Sequence, residues 1–289
     1  MKKIVLLIVL GVFAIVALIC LLFNDKSFLS FNESQKTYKI VEKWELPEEL
    51  NEISGLSWIG NGRIACIQDE DATIFIYNLS SSRITSTIDF GTKGDFEAIA
   101  VNGQNAYVMR SDGRIFEIID YAGKNIKVNE YQTSLENRDV EGMALDIAKN
   151  RLLLTVKEVP HNEKDFKGIY AFDLTSKELL KDPVFRIRID DPIFEGLQGH
   201  GSQRVIRPSE IERNPVTGDW YLLEGHQPKI IILDSVGDAK QIYVLDPKEF
   251  QQAEGLTFST DGTLFISNES RRAPANILKI ELTPDRISL

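Results

Sequence analysis

Carboxylates recur along this chain at a nearly fixed distance. Glu97 and Glu141 lie 44 residues apart, Glu210 and Glu254 again 44, and Ser54 precedes Glu97 by 43. Around each position the pattern is the same. A small or acidic residue opens an apolar, strand-like run; a turn rich in Gly, Asn or Asp follows; a second run ends in polar residues. The stretches are 51–71, 95–118, 139–158, 208–226 and the one beginning "QAEGLTFSTDGTLFISNES" at Gln252. Third runs follow at "TIFIYNL", "RIFEIID", "GIYAFDL", "KIIILD" and "NILKIEL", and fourth runs at "ITSTIDF", "IKVNEYQ", "FRIRID" and "QIYVLD". Four strands in a unit of about 40–45 residues are the signature of a propeller blade.

The fold class that follows is all-β, a five-bladed β-propeller, with six blades as the competing count. A sandwich does not explain the period. From Glu141 to Glu210 is 69 residues, an excess of about 25 over one period, which is too short for another blade. It reads as an insertion in and around 159–207. The last repeat reaches Leu289 without a fourth strand, and "YKIVEKWEL" at 38–46 can supply one, closing the ring and covering its edges. Helical spacing is confined to short pieces such as 246–254.

Ahead of the repeats, Lys2 and Lys3 precede 20 uncharged, mostly apolar residues at 4–23, about the length that crosses a hydrocarbon core. The run is longer than the apolar region of a cleaved signal and lacks a small-x-small site after it. Bulky Leu18 and Ile19 before Cys20 argue against a lipid attachment there. The reading is 1–23 as a transmembrane signal anchor, 24–37 as a linker and 38–289 as the propeller domain. Basic residues before the anchor stay in the cytoplasm. The chain is then expected in the cell (inner) membrane, single-pass, with the propeller on the periplasmic or extracytoplasmic side.

The net charge of -10 argues against a nucleic-acid surface. Cys20 and Cys66 give no disulfide framework, and His161, His200 and His226 show no zinc spacing. No nucleophile elbow, phosphate loop or dinucleotide fingerprint is present.

What remains is the carboxylate series. The first strand of a blade lines the channel, and side chains alternate along it, so Glu97, Glu141 and Glu254 should point to one end of the axis. A Gly or Ala after each lets backbones approach closely. The first repeat has Ser54 in this place, with Glu52 two residues earlier on the same face. In the fourth, a gapless match gives Glu210, whereas matching the apolar Ile211 gives Ser209, and one residue of slip reverses the faces. Second strands end in Asp69 and Glu70, Arg110 and Asp112, Lys157 and Glu158, Glu224 and His226, and Asn268 and Glu269. They return to the level where the first strands begin.

Converging carboxylates take up protons or bind a cation. Oxygen-only ligands favour Ca²⁺, with Glu97, Glu141 and Glu254 as first ligands and Glu52, Asp69, Glu158 and Glu269 next. Asn51, Gln68 and Asn268 could add amide oxygens. A second reading is structural: a Glu at a strand start accepts backbone N–H groups of the adjacent blade, a role that recurs naturally in every repeat. Direct acid–base catalysis is the third. Arg110, Lys157, Arg271 and Arg272 read as solvated loop charges. Facing one pocket, Arg110 and Arg271 would suit a phosphate or carboxylate. His226 reads as a loop residue.

The apolar anchor and the blade starts "NEISGLSW", "DFEAIAV", "DVEGMALD", "RPSEIERNPVTGDWYLL" and "QAEGLTFSTDGTLFISNE" together resemble the SdiA-regulated family of bacterial envelope propellers, over roughly 38–289. The resemblance implies five blades, an envelope location and a regulatory link to calcium and quorum signalling. The expected function is a membrane-anchored, calcium-binding module for an envelope protein or a small anionic ligand. The alternative is a metal-dependent phosphoesterase or lactonase, in which the metal polarises the substrate and a carboxylate acts as base. Fold analogy does not decide between them.

Overall fold

Each repeat folds as one antiparallel sheet, with strands where the alternation places them. The computed structural model describes residues 36–135, 139–157, 165–195, 197 and 206–283. In chain order, β1 (Tyr38–Glu45) comes first. Blade 1 is β2 (Ile53–Gly60), β3 (Arg63–Gln68), β4 (Thr73–Asn78) and β5 (Arg83–Asp89). Blade 2 is β6 (Phe96–Asn102), β7 (Asn105–Arg110), β8 (Arg114–Ile119) and β9 (Lys127–Gln132). Blade 3 is β10 (Val140–Asp146), β11 (Arg151–Val156) and β12 (Phe166–Asp173), with its outer edge split into β13 (Glu178–Leu179) and β14 (Phe185–Arg188). Blade 4 is β15 (Pro208–Arg213), β16 (Trp220–Glu224), β17 (Lys229–Leu233) and β18 (Ala239–Val244). Blade 5 is β19 (Ala253–Phe258), β20 (Leu264–Asn268) and β21 (Asn276–Leu282), completed by β1.

The closing strand is the one the sequence points to. β1 pairs antiparallel with β21 from Tyr38↔Leu282 to Glu45↔Asn276. Tyr38 fastens it further. Its hydroxyl donates to Glu249 Oε2 at 2.5 Å and accepts the Asp246 N–H at 3.1 Å, and its ring meets Phe250 edge-on. The stretch 246–254 forms no helix. Glu249 and Phe250 N–H groups both return to the Asp246 carbonyl in a single turn, and β19 takes over at Ala253. Thr37–Leu289 is one compact unit, separate from Met1–Lys36. No helix among the described residues is long and apolar enough to cross a membrane. The expected anchor at 4–23 lies outside them, as do nearly all of the linker, much of the 159–207 insertion, and Glu158, His161 and His200.

Apolar side chains fill the spaces between neighbouring blades. Ile67, Ile74, Phe96, Ile99 and Val108 join blades 1 and 2, and Met109, Val140, Leu154 and Phe172 join blades 2 and 3. Ile169, Ile211, Trp220 and Ile231 join blades 3 and 4, and Leu56, Ile64, Phe265 and Ile277 join blades 5 and 1. Each such side chain, fully buried, contributes about 1.5–3 kcal/mol. The hairpins need special backbone only in places. Gly60, Asn61 and Gly62 all have positive φ, so "GNG" is the turn that reverses β2 into β3.

Candidate functional site

All five inner strands carry an irregularity at the same point. The ladder to the second strand slips between Ile53 and Gly55, Phe96 and Ala98, Val140 and Met143, Pro208 and Glu210, and Ala253 and Leu256. These bulges fix which residues are equivalent. Ser54, Glu97, Glu141, Ser209 and Glu254 occupy one position, and Gly55, Ala98, Gly142, Glu210 and Gly255 the next. The ambiguity of the fourth repeat is thereby resolved in favour of Ser209, and Glu210 stands where the other blades have glycine or alanine.

That second position is where blades touch backbone to backbone. A Cβ on Gly142 would lie 2.6 Å from the Glu210 Cα, one on Gly55 2.9 Å from the Ala98 Cα, and one on Gly255 2.8 Å from the Leu56 Cγ. Glu210 itself is 1 % exposed. Its Oε1 accepts the Met143 N–H of blade 3 at 2.8 Å and the Ile211 N–H at 2.9 Å, while Oε2 is buried without a partner. Burial pushes this carboxyl far above the ordinary range. Pinning of neighbouring blades is therefore carried out by Glu210. Elsewhere hydroxyls do this work: Ser57 Oγ accepts Val101 N–H, Thr257 Oγ1 accepts Trp58 N–H, and Ser209 Oγ donates to the Ala253 carbonyl.

Glu97, Glu141 and Glu254 form a different set. The second strands do return beside them: Asp69 N–H bonds the Glu52 carbonyl, Ser111 that of Asp95, Lys157 that of Asp139 and Glu269 that of Gln252. Burial, then repulsion from Glu141, Asp95 and Glu254, pushes Glu97 up to about 10. Burial and Glu141 push Glu254 up to about 8. Glu141 is raised by burial but drawn back by Lys157, whose Nζ stands 2.8 Å from its Oε1, and comes to about 7. Lys157 is thus no solvated loop charge. It lies among the carboxylates, and Glu141 and Glu254 both hold its ammonium charged. Register could have found it, because Lys157 follows Val156, the partner of Val140.

A second acidic group adjoins the first. Burial, then Glu52 and Glu269, raises Asp69 to about 6. Glu269 is raised by burial, eased by Arg271, and accepts a hydrogen bond from Gln252 Nε2. Glu52 is exposed in the turn before β2. Among the expected amide helpers, Gln68 Oε1 caps the Glu70 N–H, and Asn268 Nδ2 donates to Asn276 Oδ1 and to the Glu249 carbonyl. Arg110 is committed elsewhere, its Nε and Nη2 forking onto Asp112 at 3.0 and 2.5 Å. His226 is an exposed turn residue.

The donor chemistry, oxygen only and short of positive charge, fits a cation. As arranged, no three His, Cys, Asp or Glu groups among the described residues are close enough to hold a metal ion. Lys157 supplies the positive charge instead.

Fold and site together define a class: a five-bladed β-propeller with a charged mouth on its axis. The chain belongs to the SdiA-regulated family, whose pattern matches residues 30–273. No curated protein matches the sequence. Among solved structures it is similar to Myxococcus xanthus glutaminyl cyclase, at 13% identity and a TM-score of 0.59, over 85% of this chain and 96% of that one. It is also similar to a protein of unknown function from Bacteroides thetaiotaomicron, at 10% identity and a TM-score of 0.53, over 84% and 76%. At such identities the likeness is one of fold.

Proposed function

We propose that this chain is a binding propeller of the cell envelope, tethered by the apolar segment 4–23, whose acidic mouth recognises a cation. The observation that carries the reading is the imbalance at that mouth. Glu97, Glu141 and Glu254 are all raised by burial or by one another, and among the described residues Lys157 compensates all three. A ligand that brings positive charge lets these acids ionise, so it binds in competition with their protons, releases them, and should bind more tightly as pH rises. Ca²⁺ is the ion that an oxygen-only donor set suits. Glu97, Glu141 and Glu254, not close enough to share an ion as arranged, would have to draw together on it, with Lys157 giving up Glu141.

Calorimetric titration of the full chain in detergent with CaCl₂ tests this. Saturable heat and a rise in melting temperature are expected at or below about 1 mM. Lys157→Met should tighten binding by about tenfold, a change near 1.4 kcal/mol, and Glu97→Gln or Glu254→Gln should weaken it. Absence of heat and of any melting shift at several times that concentration would refute the reading.

A further inference from the structure

The inner strands have a second end, and a cavity opens there. It encloses about 460 Å³, and every blade lines it, through Trp58, Val101, Leu145, Glu212 and Phe258 among others. Its volume is that of a small-molecule pocket, and its walls mix apolar with polar surface. Its rim carries two of the most exposed large apolar side chains of the described residues, Ile147 and Val216.

Register shows how the walls are made. Trp58, Val101, Leu145, Arg213 and Phe258 are equivalent, each two residues past the core position of its strand. Arg213 breaks the apolar series, and its guanidinium turns back over the Trp220 ring, with Nε donating to the Gly218 carbonyl. One position earlier the residues are Ser57, Ala100, Ala144 and Thr257, all short, but blade 4 has Glu212. Its carboxylate accepts the Arg213 N–H at 2.7 Å and, among the described residues, forms no ion pair. Burial raises it to about 7, opposed only in part by the Arg213 N–H. A second polar group of this mouth is also unmatched: Trp58 Nε1–H is buried without an acceptor, whereas Trp44 Nε1 donates to the Leu79 carbonyl.

We propose that this mouth binds a small organic amine, with its ammonium group against Glu212 and its apolar body against Trp58, Val101 and Leu145. The carboxylate supplies orientation, the walls supply contact area, and a cation is the partner that Glu212 lacks. The site is distinct from the acidic mouth and does not depend on calcium there.

Phenethylamine is the probe, with 2-phenylethanol as its neutral counterpart, followed on the full chain by calorimetry and by quenching of tryptophan fluorescence. The amine is expected to saturate at about 1 mM or below and to bind at least tenfold more tightly than the alcohol. Glu212→Gln should abolish that preference. Glu212→Ser, the residue blade 1 carries at this position, should do the same and guards against a glutamine variant that fails to fold. Trp58→Phe should remove most of the quenching. Glu141→Gln should leave amine binding within twofold, which separates failure here from failure at the acidic mouth. Equal binding of amine and alcohol, undiminished amine preference in both Glu212 variants, or no saturation at ten times the expected concentration would each overturn the proposal.

Discussion

The two mouths of this propeller are built from the same five strands, yet one gathers charge and the other apolar surface. At the start of each inner strand a bulge breaks the alternation and sets one residue apart from the apolar series. That position carries Glu97, Glu141 and Glu254, and the returning second strands add Asp69, Lys157 and Glu269. At the far end the ladders run regularly except in blade 1, which slips again between Trp58 and Gly60, and side chains such as Val101 and Leu145 continue the apolar pattern around the opening. The acidic mouth holds several acids around one lysine; the other mouth holds one acid, Glu212, that pairs with no base, because Arg213 is turned onto the Trp220 ring and the Gly218 carbonyl. Each therefore leaves negative charge incompletely matched, and they differ in the surface offered around it.

The comparison breaks most severely if the blades cannot close. Gly142→Ala would press a methyl group against the Glu210 Cα at 2.6 Å, between two backbones that cannot yield separately. Overpacking of this kind costs about 3 kcal/mol. Gly91→Ala, whose new Cβ would meet its nearest neighbour at 3.5 Å, should stay within about 0.5 kcal/mol. Urea melts of both variants check the difference, and equal midpoints would show that the blades have slack at this level.

Next in size is the charge balance of the acidic mouth. Lys157→Met removes the ammonium group from Glu141, which is buried, and leaves Glu97 and Glu254 less compensated. Loss of one partner of a buried pair costs about 3–5 kcal/mol. The lysine side chain is 33% exposed, so solvent screening reduces this to about 2 kcal/mol. Chemical denaturation at pH 8 reads the loss, which should shrink at pH 5.5, where the freed carboxyl can take a proton. An identical loss at both pH values would show that the pair is not electrostatic in its effect.

Much of this architecture is legible in the sequence because a propeller repeats itself. The 44-residue period locates five first strands, the four predicted fourth runs coincide with β5, β9, β14 and β18, and 38–46 is recognisable as the closing strand. The site is less legible for a physical reason. A bulge shifts parity by one residue, so sequence alone cannot choose between Ser209 and Glu210, and the choice decides whether a glutamate faces the axis or pins two blades. Lys157 resembles any loop lysine until register sets it beside Asp139. Glu212 is hidden more deeply, because only comparison with Ser57, Ala100, Ala144 and Thr257 shows that a carboxylate there is out of pattern.

A smaller effect is the dependence of stability on pH, to which Glu212 of the other mouth, raised to about 7, adds in the same direction. Glu97, Glu141 and Glu254 have folded values of about 10, 7 and 8, above the ordinary 4.5. Between the ordinary and the raised value, the folded chain holds protons that the unfolded chain has released. Stability is then greatest at low pH in this window and falls as pH rises. Acids with lowered values, such as Asp112 and Asp234, titrate below the window and do not oppose the trend. The melting temperature should fall between pH 5.5 and pH 9, and Glu97→Gln, neutral throughout, should make the fall shallower. A flat or rising profile would contradict the burial of these groups.

The smallest expected change tests whether Glu210 belongs to the acidic mouth at all. As a pin it needs only one oxygen, Oε1, to accept the Met143 and Ile211 N–H groups, and its carboxyl stays protonated because burial opposes ionisation. Glutamine keeps that acceptor and is neutral, so Glu210→Gln should cost less than about 1 kcal/mol. Glu210→Ala strands two buried N–H groups and should cost about 2–6 kcal/mol, since each unpaired donor loses about 1–3. Calcium or amine titrations of the glutamine variant should match those of the parent chain. If Glu210→Gln instead weakened calcium binding as much as Glu97→Gln, the glutamate would act within the acidic mouth. The division drawn here between a carboxyl that joins blades and carboxyls that face the axis would then fail.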